Sequence, residues 1–266
     1  LKKYLASLSM AVFVIPVAAF IITALSTPAY AMHISEGILP LPWAGLWYVL
    51  AMPFMAKGIF DIKKRTRQTS FFIPLIGMVS AMVFIISAMP IPVPIAGTCS
   101  HPAGTGLAAI LVGPFATVVA TSIALLIQAL FLAHGGITTL GANILSMGVV
   151  GAFSGYFTFK VLTKAKVPLV IAAFLAGLAS DWLTYAMTSF ELALGLSEKG
   201  MFLKLYNSIA LAFVPTQLPI GILEGFAAAG LFAFVLKRRP DILINLGIIK
   251  PLSLYKEGIG HEEVVY

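Results

Sequence analysis

Charge is what this chain most lacks. Only 10% of its residues are Asp, Glu, Lys or Arg, against 60% hydrophobic, whereas a soluble globule carries about 25% charge. So few polar side chains cannot cover a water-exposed surface, which excludes a soluble enzyme. Cysteine is nearly absent too. The single thiol, Cys99, rules out an intrachain disulfide and argues against a thiolate metal centre. No Gly-Lys-Ser/Thr follows any glycine-rich loop, so no ATP-hydrolysing motif is present. Short strands of alternating polarity are also missing, which removes a porin-like barrel.

What is there instead is a series of long apolar runs. Several approach or exceed the roughly 20 residues that cross a bilayer as helix. The pattern predicts an all-α, polytopic transmembrane bundle. Candidate helices cover residues 41–60 (interrupted by Pro53), 71–89, a stretch 103–133 broken at Gly113-Pro114, then 140–159, 168–190 and 205–236. The segment Pro90-Ile91-Pro92-Val93-Pro94 carries too many prolines for helix and is expected to form a rigid loop.

The formal net charge is +7, but the basic residues form no broad basic domain, so nucleic acid is not a partner. They cluster at Lys63-Lys64-Arg65-Thr66-Arg67, between Lys160 and Lys166, and at Lys237-Arg238-Arg239, each after an apolar run. Such clusters mark cytoplasmic loops, and the lipid bilayer is the implied surrounding. They also decide the path of residues 103–133. One crossing there would put the last two clusters outside. Two crossings, with a turn near Gly113-Pro114, bring every cluster inside. The count is then about seven membrane segments, the first of that pair being short, broken or re-entrant. The N-terminus of this bundle lies outside and the tail from Pro240, residues 240–266, lies in the cytoplasm.

The first 31 residues have the form of a secretory leader. Lys2-Lys3 precedes an apolar stretch, and Ser26-Thr27-Pro28 breaks it before Ala29-Tyr30-Ala31, an A-x-A cleavage pattern. An uncleaved signal anchor is the alternative. Cleavage after Ala31 leaves a membrane domain, residues 32–239, that begins Met32-His33.

A free Met-His terminus is a chelator. Its amine and the His33 amide nitrogen close a five-membered ring on a metal ion, and the amide with the imidazole Nδ1 closes a six-membered one. Three nitrogens then lie in a nearly planar arc. The topology brings His101 to the same external side, where its imidazole can supply a fourth. A tetragonal N4 set suits Ni(II) or Cu(II), accepts low-spin Co(II), and disfavours Zn(II) and Mg(II). The plain alternatives are an interfacial polar residue for His33 and a helix cap before Pro102 for His101. The surrounding Thr98-Cys99-Ser100-His101-Pro102-Ala103-Gly104-Thr105-Gly106 is polar and glycine-rich, as befits a loop packed over a bound group.

Other polar residues stand out against the apolar background. His134, beside Gly135-Gly136, reads as a structural histidine at a helix end, with a transit ligand as the alternative. Gln128 and Asn143 read either as interhelical hydrogen-bonding groups or as supports of the metal loop. Asp181 and Glu224 are intramembrane carboxylates, which are costly and usually functional, placed either to attract a cation or to meet polar groups of a partner. Glu36 stands three residues from His33, placed to orient its ring or to cap the first helix. Ser100 and Thr105, within the histidine loop, are candidates to support or gate the metal site.

These motifs resemble, in order, those of the substrate-capture component of cobalt and nickel energy-coupling factor transporters, of the cobalamin-biosynthesis type. Met32-His33-Ile34-Ser35-Glu36-Gly37-Ile38-Leu39-Pro40 is similar to the family's opening motif, and Cys99 to Gly106 to its histidine loop. Gln128-Ala129-Leu130-Phe131-Leu132-Ala133-His134-Gly135-Gly136, Thr139-Leu140-Gly141-Ala142-Asn143, Gln217-Leu218-Pro219 and Glu224-Gly225 match its later parts. The resemblance implies a seven-helix subunit of the cell membrane that binds Co(II) or Ni(II) as transported ligand. The ligands would be the Met32 amine, the His33 amide and imidazole, and the His101 imidazole. It implies a transmembrane scaffold subunit and two ATP-binding subunits as partners, with a small accessory membrane subunit in cobalt systems. Family members commonly start at the Met-His itself, so the leader is a departure that makes function depend on processing at Ala31. Two other classes compete. A metal-dependent membrane enzyme would need a general base, for which Glu36 is the lone candidate. A secondary transporter would carry internal repeats, which are not seen.

Overall fold

The computed structural model describes residues 33–89, 91–93 and 98–249. The expected leader, Met32 and the tail beyond Ile249 lie outside the described residues. The elements in order are α1 (Leu41–Gln68), α2 (Phe72–Ser87), β1 (Ile91–Val93), β2 (Thr98–Ser100), α3 (Thr105–Val112), α4 (Pro114–Phe131), α5 (Leu140–Lys164), α6 (Leu169–Leu196), α7 (Phe202–Arg238) and α8 (Pro240–Asn245). The middle of α5, Ile144–Gly151, is wound as π-helix.

This is a helical bundle and a multi-pass membrane protein. Helices α1, α4, α5, α6 and α7 are each long and apolar enough to cross a bilayer. The shorter α2 and α3 complete the seven membrane segments. Large apolar side chains such as Val49, Phe60, Ile85, Phe131, Leu211 and Phe234 point outward, where lipid rather than water is their solvent. At about 1.5 Å per residue, α3 extends about 12 Å, less than half a bilayer core. It is tolerated at depth because protein surrounds it: seven of its eight residues are buried. Gly113, at φ +85°, ends α3, and Pro114 starts α4. Arg65 Nη1 donates to the Val112 carbonyl at 3.0 Å, covering one of the orphan acceptors at the end of α3. The turn expected at Gly113-Pro114 is therefore a real one, held by a side chain of the first basic cluster.

Small residues let the central helices touch. A Cβ added to Gly155 of α5 would meet the Gly106 Cα of α3 at 2.7 Å, and one on Gly177 of α6 would meet the Ala228 Cβ of α7 at 2.9 Å. Side chains larger than hydrogen would push the helices apart.

The bundle has two distinct ends. Arg65, Lys160 and Leu246 line one cleft, so the basic clusters and the start of the tail gather at one end. The loop after α4 and the segments preceding α1 and α3 gather at the other, where Tyr48 Oη donates to the Ile137 carbonyl.

Two expectations need correction. Pro53 does not interrupt the first helix: α1 runs through it to Gln68 and takes up the basic run. A membrane helix tolerates the lost N–H where neighbours and adjusted backbone absorb it, and the bidentate Arg65–Asp61 pair, 3.0 Å at its Nη2–Oδ2 contact, supports the added turns. The proline segment is not wholly irregular, since Ile91–Val93 pairs antiparallel with Thr98–Ser100, Pro92 opposite Cys99. An isolated two-stranded ribbon has free edges on which proline's missing donor does no harm. The start of the expected tail packs back on the bundle. Leu243 and Ile249 are buried in one cluster with Phe232 and Leu236 of α7.

Candidate metal centre

Three connections deliver three histidines to one spot. His33 comes from the strand-like segment before α1, His101 from the link between β2 and α3, and His134 from the loop joining α4 to α5. All three are buried, at 3%, 0% and 8% exposure. Each can offer a ring nitrogen within 4.8 Å of the others'. Ring centroids are 4.6 Å apart for His33–His101, 4.6 Å for His33–His134 and 5.2 Å for His101–His134. Gly135 makes the convergence feasible. Its φ is +82°, and a Cβ there would stand 3.0 Å from the His33 Cβ.

The hydrogen bonds determine which nitrogen of each ring is free. Gln128 Nε2 donates to Ser87 Oγ at 2.8 Å and to the Phe84 carbonyl at 3.3 Å. Its Oε1 therefore faces His33 Nε2, at 2.9 Å. An amide oxygen only accepts, so His33 Nε2 carries the proton and Nδ1 the lone pair. His101 Nδ1 lies 2.8 Å from the Pro102 carbonyl, which by the same rule leaves the lone pair on Nε2. Neither His101 Nε2 nor His134 Nε2 has a hydrogen-bond partner among the described residues.

The rings are held neutral. Burial, followed by the neighbouring His101 and His134, pushes the His33 imidazole well below its ordinary pKa. Burial and then His134 bring His101 down to about 3 against the Pro102 hydrogen bond, and burial brings His134 down to about 4. A neutral imidazole is the form that ligates metal. Three such rings form a nitrogen donor set suited to a first-row transition ion and poorly suited to Mg(II) or Ca(II).

The supports come from every side. Asn143 grips the backbone next to His33 at two points: Ile34 N–H donates to its Oδ1 at 2.8 Å, and its Nδ2 donates to the Ile34 carbonyl at 3.3 Å. Thr139 Oγ1 donates to that same carbonyl. Gln128 and Asn143, between which the sequence offered no choice, both support the His33 segment. Tyr185 of α6 fixes the His101 backbone, donating to its carbonyl at 2.9 Å and accepting its N–H at 3.2 Å. Ser100 Oγ pairs with Thr216 Oγ1 at 2.8 Å, and Thr105 Oγ1 with Ser180 Oγ at 3.0 Å.

The carboxylates are elsewhere. Glu224 Oε2 accepts Ala103 N–H at 2.5 Å and its Oε1 accepts Gly104 N–H at 3.0 Å. Beside it, Asp181 Oδ2 accepts from Gln217 Nε2 at 2.5 Å. Both belong to the underside of the histidine loop. Glu36 takes neither role expected of it. Its carboxylate accepts the Thr138 N–H at 3.0 Å, and Thr138, through its side chain first and its backbone second, holds the Glu36 pKa below the usual range. The His33 ring is oriented by Gln128 instead, and α1 begins at Pro40 with no side-chain cap.

Several participants escaped the sequence. Tyr185, Ser87 and Thr216 carry no pattern that marks them before folding, and Gln217 stood out only as part of a motif, with no role. Glu191 of α6 was passed over as well, although it is a carboxylate inside an apolar run. It is fully buried, and neither oxygen has a hydrogen-bond partner among the described residues.

Residues 33–242 match the family described as cobalt uptake substrate-specific transmembrane region, CbiM. A cobalt transport protein CbiM from Sorangium cellulosum is 56% identical over 219 residues, 82% of this chain and 97% of the relative. One from Geobacter sulfurreducens is 55% identical over 225 residues, 85% of this chain and 65% of the relative. One from a Nostoc species is 39% identical over 261 residues, 97% of this chain and all of the relative. A crystal structure of a transition metal transporter superposes with a TM-score of 0.70 at 27% identity, covering 77% of this chain and 93% of the other.

Proposed function

Because the chain belongs to the family of the cobalt uptake substrate-specific transmembrane region, we propose that it is the membrane subunit that captures Co(II) for an ATP-driven importer. The ion is cargo, bound by the Met32 amine, the His33 amide nitrogen, His33 Nδ1 and His101 Nε2. The observation that carries this reading is the Gln128–His33 hydrogen bond. It protonates Nε2 and leaves free the Nδ1 that a six-membered chelate ring with the His33 amide requires. The two-point grip of Asn143 on Ile34 supports it further, since it holds the peptide immediately after the chelating pair.

ATP binding and hydrolysis are then the work of partners: two ATP-binding subunits acting through a transmembrane scaffold, with a small accessory membrane subunit. The positive-inside rule orients the bundle, with the basic end and the C-terminus in the cytoplasm and the histidine end outside. Nickel is the competing cargo, because a planar nitrogen set suits Ni(II) equally. For the enzyme reading, the candidate base Glu36 accepts from Thr138 and makes no hydrogen bond to a histidine of the cluster among the described residues, which gives that reading no support.

The test is a metal titration of the N-terminally sequenced protein beginning at Met32, beside a form with one extra residue before it. Extension removes the amine from the chelate and places an ordinary amide there. Tight Co(II) or Ni(II) binding by the first form, weakened at least about 1000-fold by extension, equivalent to about 4 kcal/mol, is expected. Equal binding by both forms would remove the N-terminal chelate from the account.

A further inference from the structure

The proposed ligand set uses two histidines, but the loops bring three together. His134 is 8% exposed, and its Nε2 has no hydrogen-bond partner among the described residues. A structural histidine would have its polar atoms engaged. Gly135, at φ +82° and with room for a Cβ only 3.0 Å from the His33 Cβ, is what allows the loop to press this ring against the site.

The spacing of the rings is informative. Two imidazoles bound cis to one ion at about 2 Å have centroids about 4.5 Å apart, and trans ones about 6.4 Å. All three observed separations, 4.6, 4.6 and 5.2 Å, fall on the cis side. In a planar set, the amine, the amide and His33 Nδ1 occupy three corners, and His101 Nε2 takes the fourth, cis to His33. The position cis to both His33 and His101 is then the axial one. The His134 ring stands at 78° to the His33 ring and the His101 ring at 76°, so tilt does not tell the two apart and the axial placement follows from the cis separations.

We propose that His134 Nε2 is an axial fifth ligand that selects Co(II) over Ni(II). This rests on the amine-based site of the preceding section. The electron count supplies the selectivity. Planar Ni(II) is d8, and its filled dz² orbital repels a fifth donor. Low-spin Co(II) is d7, with a single electron in dz², and accepts one. An axial imidazole therefore stabilises the cobalt complex and leaves the nickel complex little changed.

The experiment is electron paramagnetic resonance of Co(II) bound anaerobically to the protein beginning at Met32, with parallel Co(II) and Ni(II) titrations of wild type and His134→Gln. The unpaired dz² electron couples to an axial nitrogen far more strongly than to in-plane ones. One axial 14N splits each cobalt line into three, and 15N-labelled histidine turns three into two. The wild-type protein is expected to give the triplet and to convert it to a doublet on labelling. His134→Gln is expected to lose the splitting, with the Co(II):Ni(II) affinity ratio falling about 10- to 100-fold. A wild-type spectrum that is high-spin or lacks axial nitrogen splitting would overturn the proposal without any variant. So would a triplet or an affinity ratio that survives in His134→Gln. Failure of the wild-type protein to bind either ion would remove the amine-based site itself, a different result from binding without splitting.

Discussion

Two buried polar clusters meet at the histidine loop, and His101 and Glu224, their members nearest it, use their atoms in opposite ways. His101 belongs to the first cluster, while the backbone of Ala103 and Gly104 belongs to the second. In the histidine cluster each hydrogen bond engages one nitrogen and leaves the other's lone pair over. His33 bonds through Nε2 and keeps Nδ1, and His101 bonds through Nδ1 and keeps Nε2. In the carboxylate cluster both oxygens of Glu224 are taken by backbone N–H groups. Burial alone would rank the two alike, at 0% exposure for His101 and 4% for Glu224. The leftover lone pair separates His101, which is free to take a ligand, from Glu224, which holds a loop in place, although Asp181 Oδ1 and Gln217 Oε1 beside Glu224 also have no hydrogen-bond partner among the described residues.

Acid should sharpen that contrast most. The rings of the histidine cluster are already neutral, with His101 at about 3 and His134 at about 4. Between pH 7 and pH 5 they have no protons for a metal to displace. The protons released on binding then come from the terminal amine, with an ordinary pKa of about 7.7–8.0, and from the His33 amide. Affinity is therefore expected to fall about 100-fold for each pH unit below 7, two protons per ion, with no further steepening near 6.5. Titrations at several pH values, checked by calorimetry in buffers of different ionisation heat, read the proton count directly. A count rising above two as the pH passes 6.5 would mean that the rings titrate normally. The same shifts act on the metal-free fold. The unfolded chain takes up ring protons below about pH 6.5 and the folded one only near its lowered values, so apo stability should decline as pH falls through that window.

A smaller effect isolates the ring orientation. Gln128→Leu removes the acceptor that fixes the His33 tautomer and leaves the Ser87 and Phe84 acceptors without their donor. Metal affinity is expected to drop about 10- to 100-fold, the usual cost of losing an outer partner of a ligating histidine. Both Co(II) and Ni(II) should weaken alike, because the change lies in the plane of the chelate. Unchanged affinity would show that the metal selects the tautomer unaided.

The comparison also explains what could be read before folding. The meeting of His33 and His101 was legible because the membrane path sends both to one side, and because the second sits in a glycine-rich polar loop. The turn at Gly113-Pro114 was legible because charge bookkeeping along the chain admits one path only. The convergence of His134 was not, because it depends on Gly135 turning the α4–α5 loop back onto His33. Gln128 and Asn143 each had two roles open, and only the packing of α2, α4 and α5 against the N-terminal segment assigns them. Glu36 misled for the same reason. Three residues from His33 in sequence, it faces Thr138 in space. Tyr185 and Thr216 lie on helices whose rotation no local pattern determines.

Glu224 provides the smallest of these tests and separates the two clusters outright. Its carboxylate receives the N–H groups of Ala103 and Gly104 and so positions His101 from below without touching the ion. Glu224→Gln keeps one acceptor oxygen and turns the other into a donor facing an N–H. One backbone donor is then left unpaired, at a cost of about 1–3 kcal/mol. Melting temperature should fall, and Co(II) and Ni(II) affinities should fall together by about tenfold or less, because only part of that cost reaches the metal-bound state. The axial splitting from His134 should persist, since that ring hangs from a different loop. If Glu224 instead served a partner subunit, purified protein would keep its melting temperature and both affinities, and only transport by the assembled complex would suffer. Loss of the splitting together with binding would mean that the two clusters are one cooperative unit, and that lone-pair counting does not divide them.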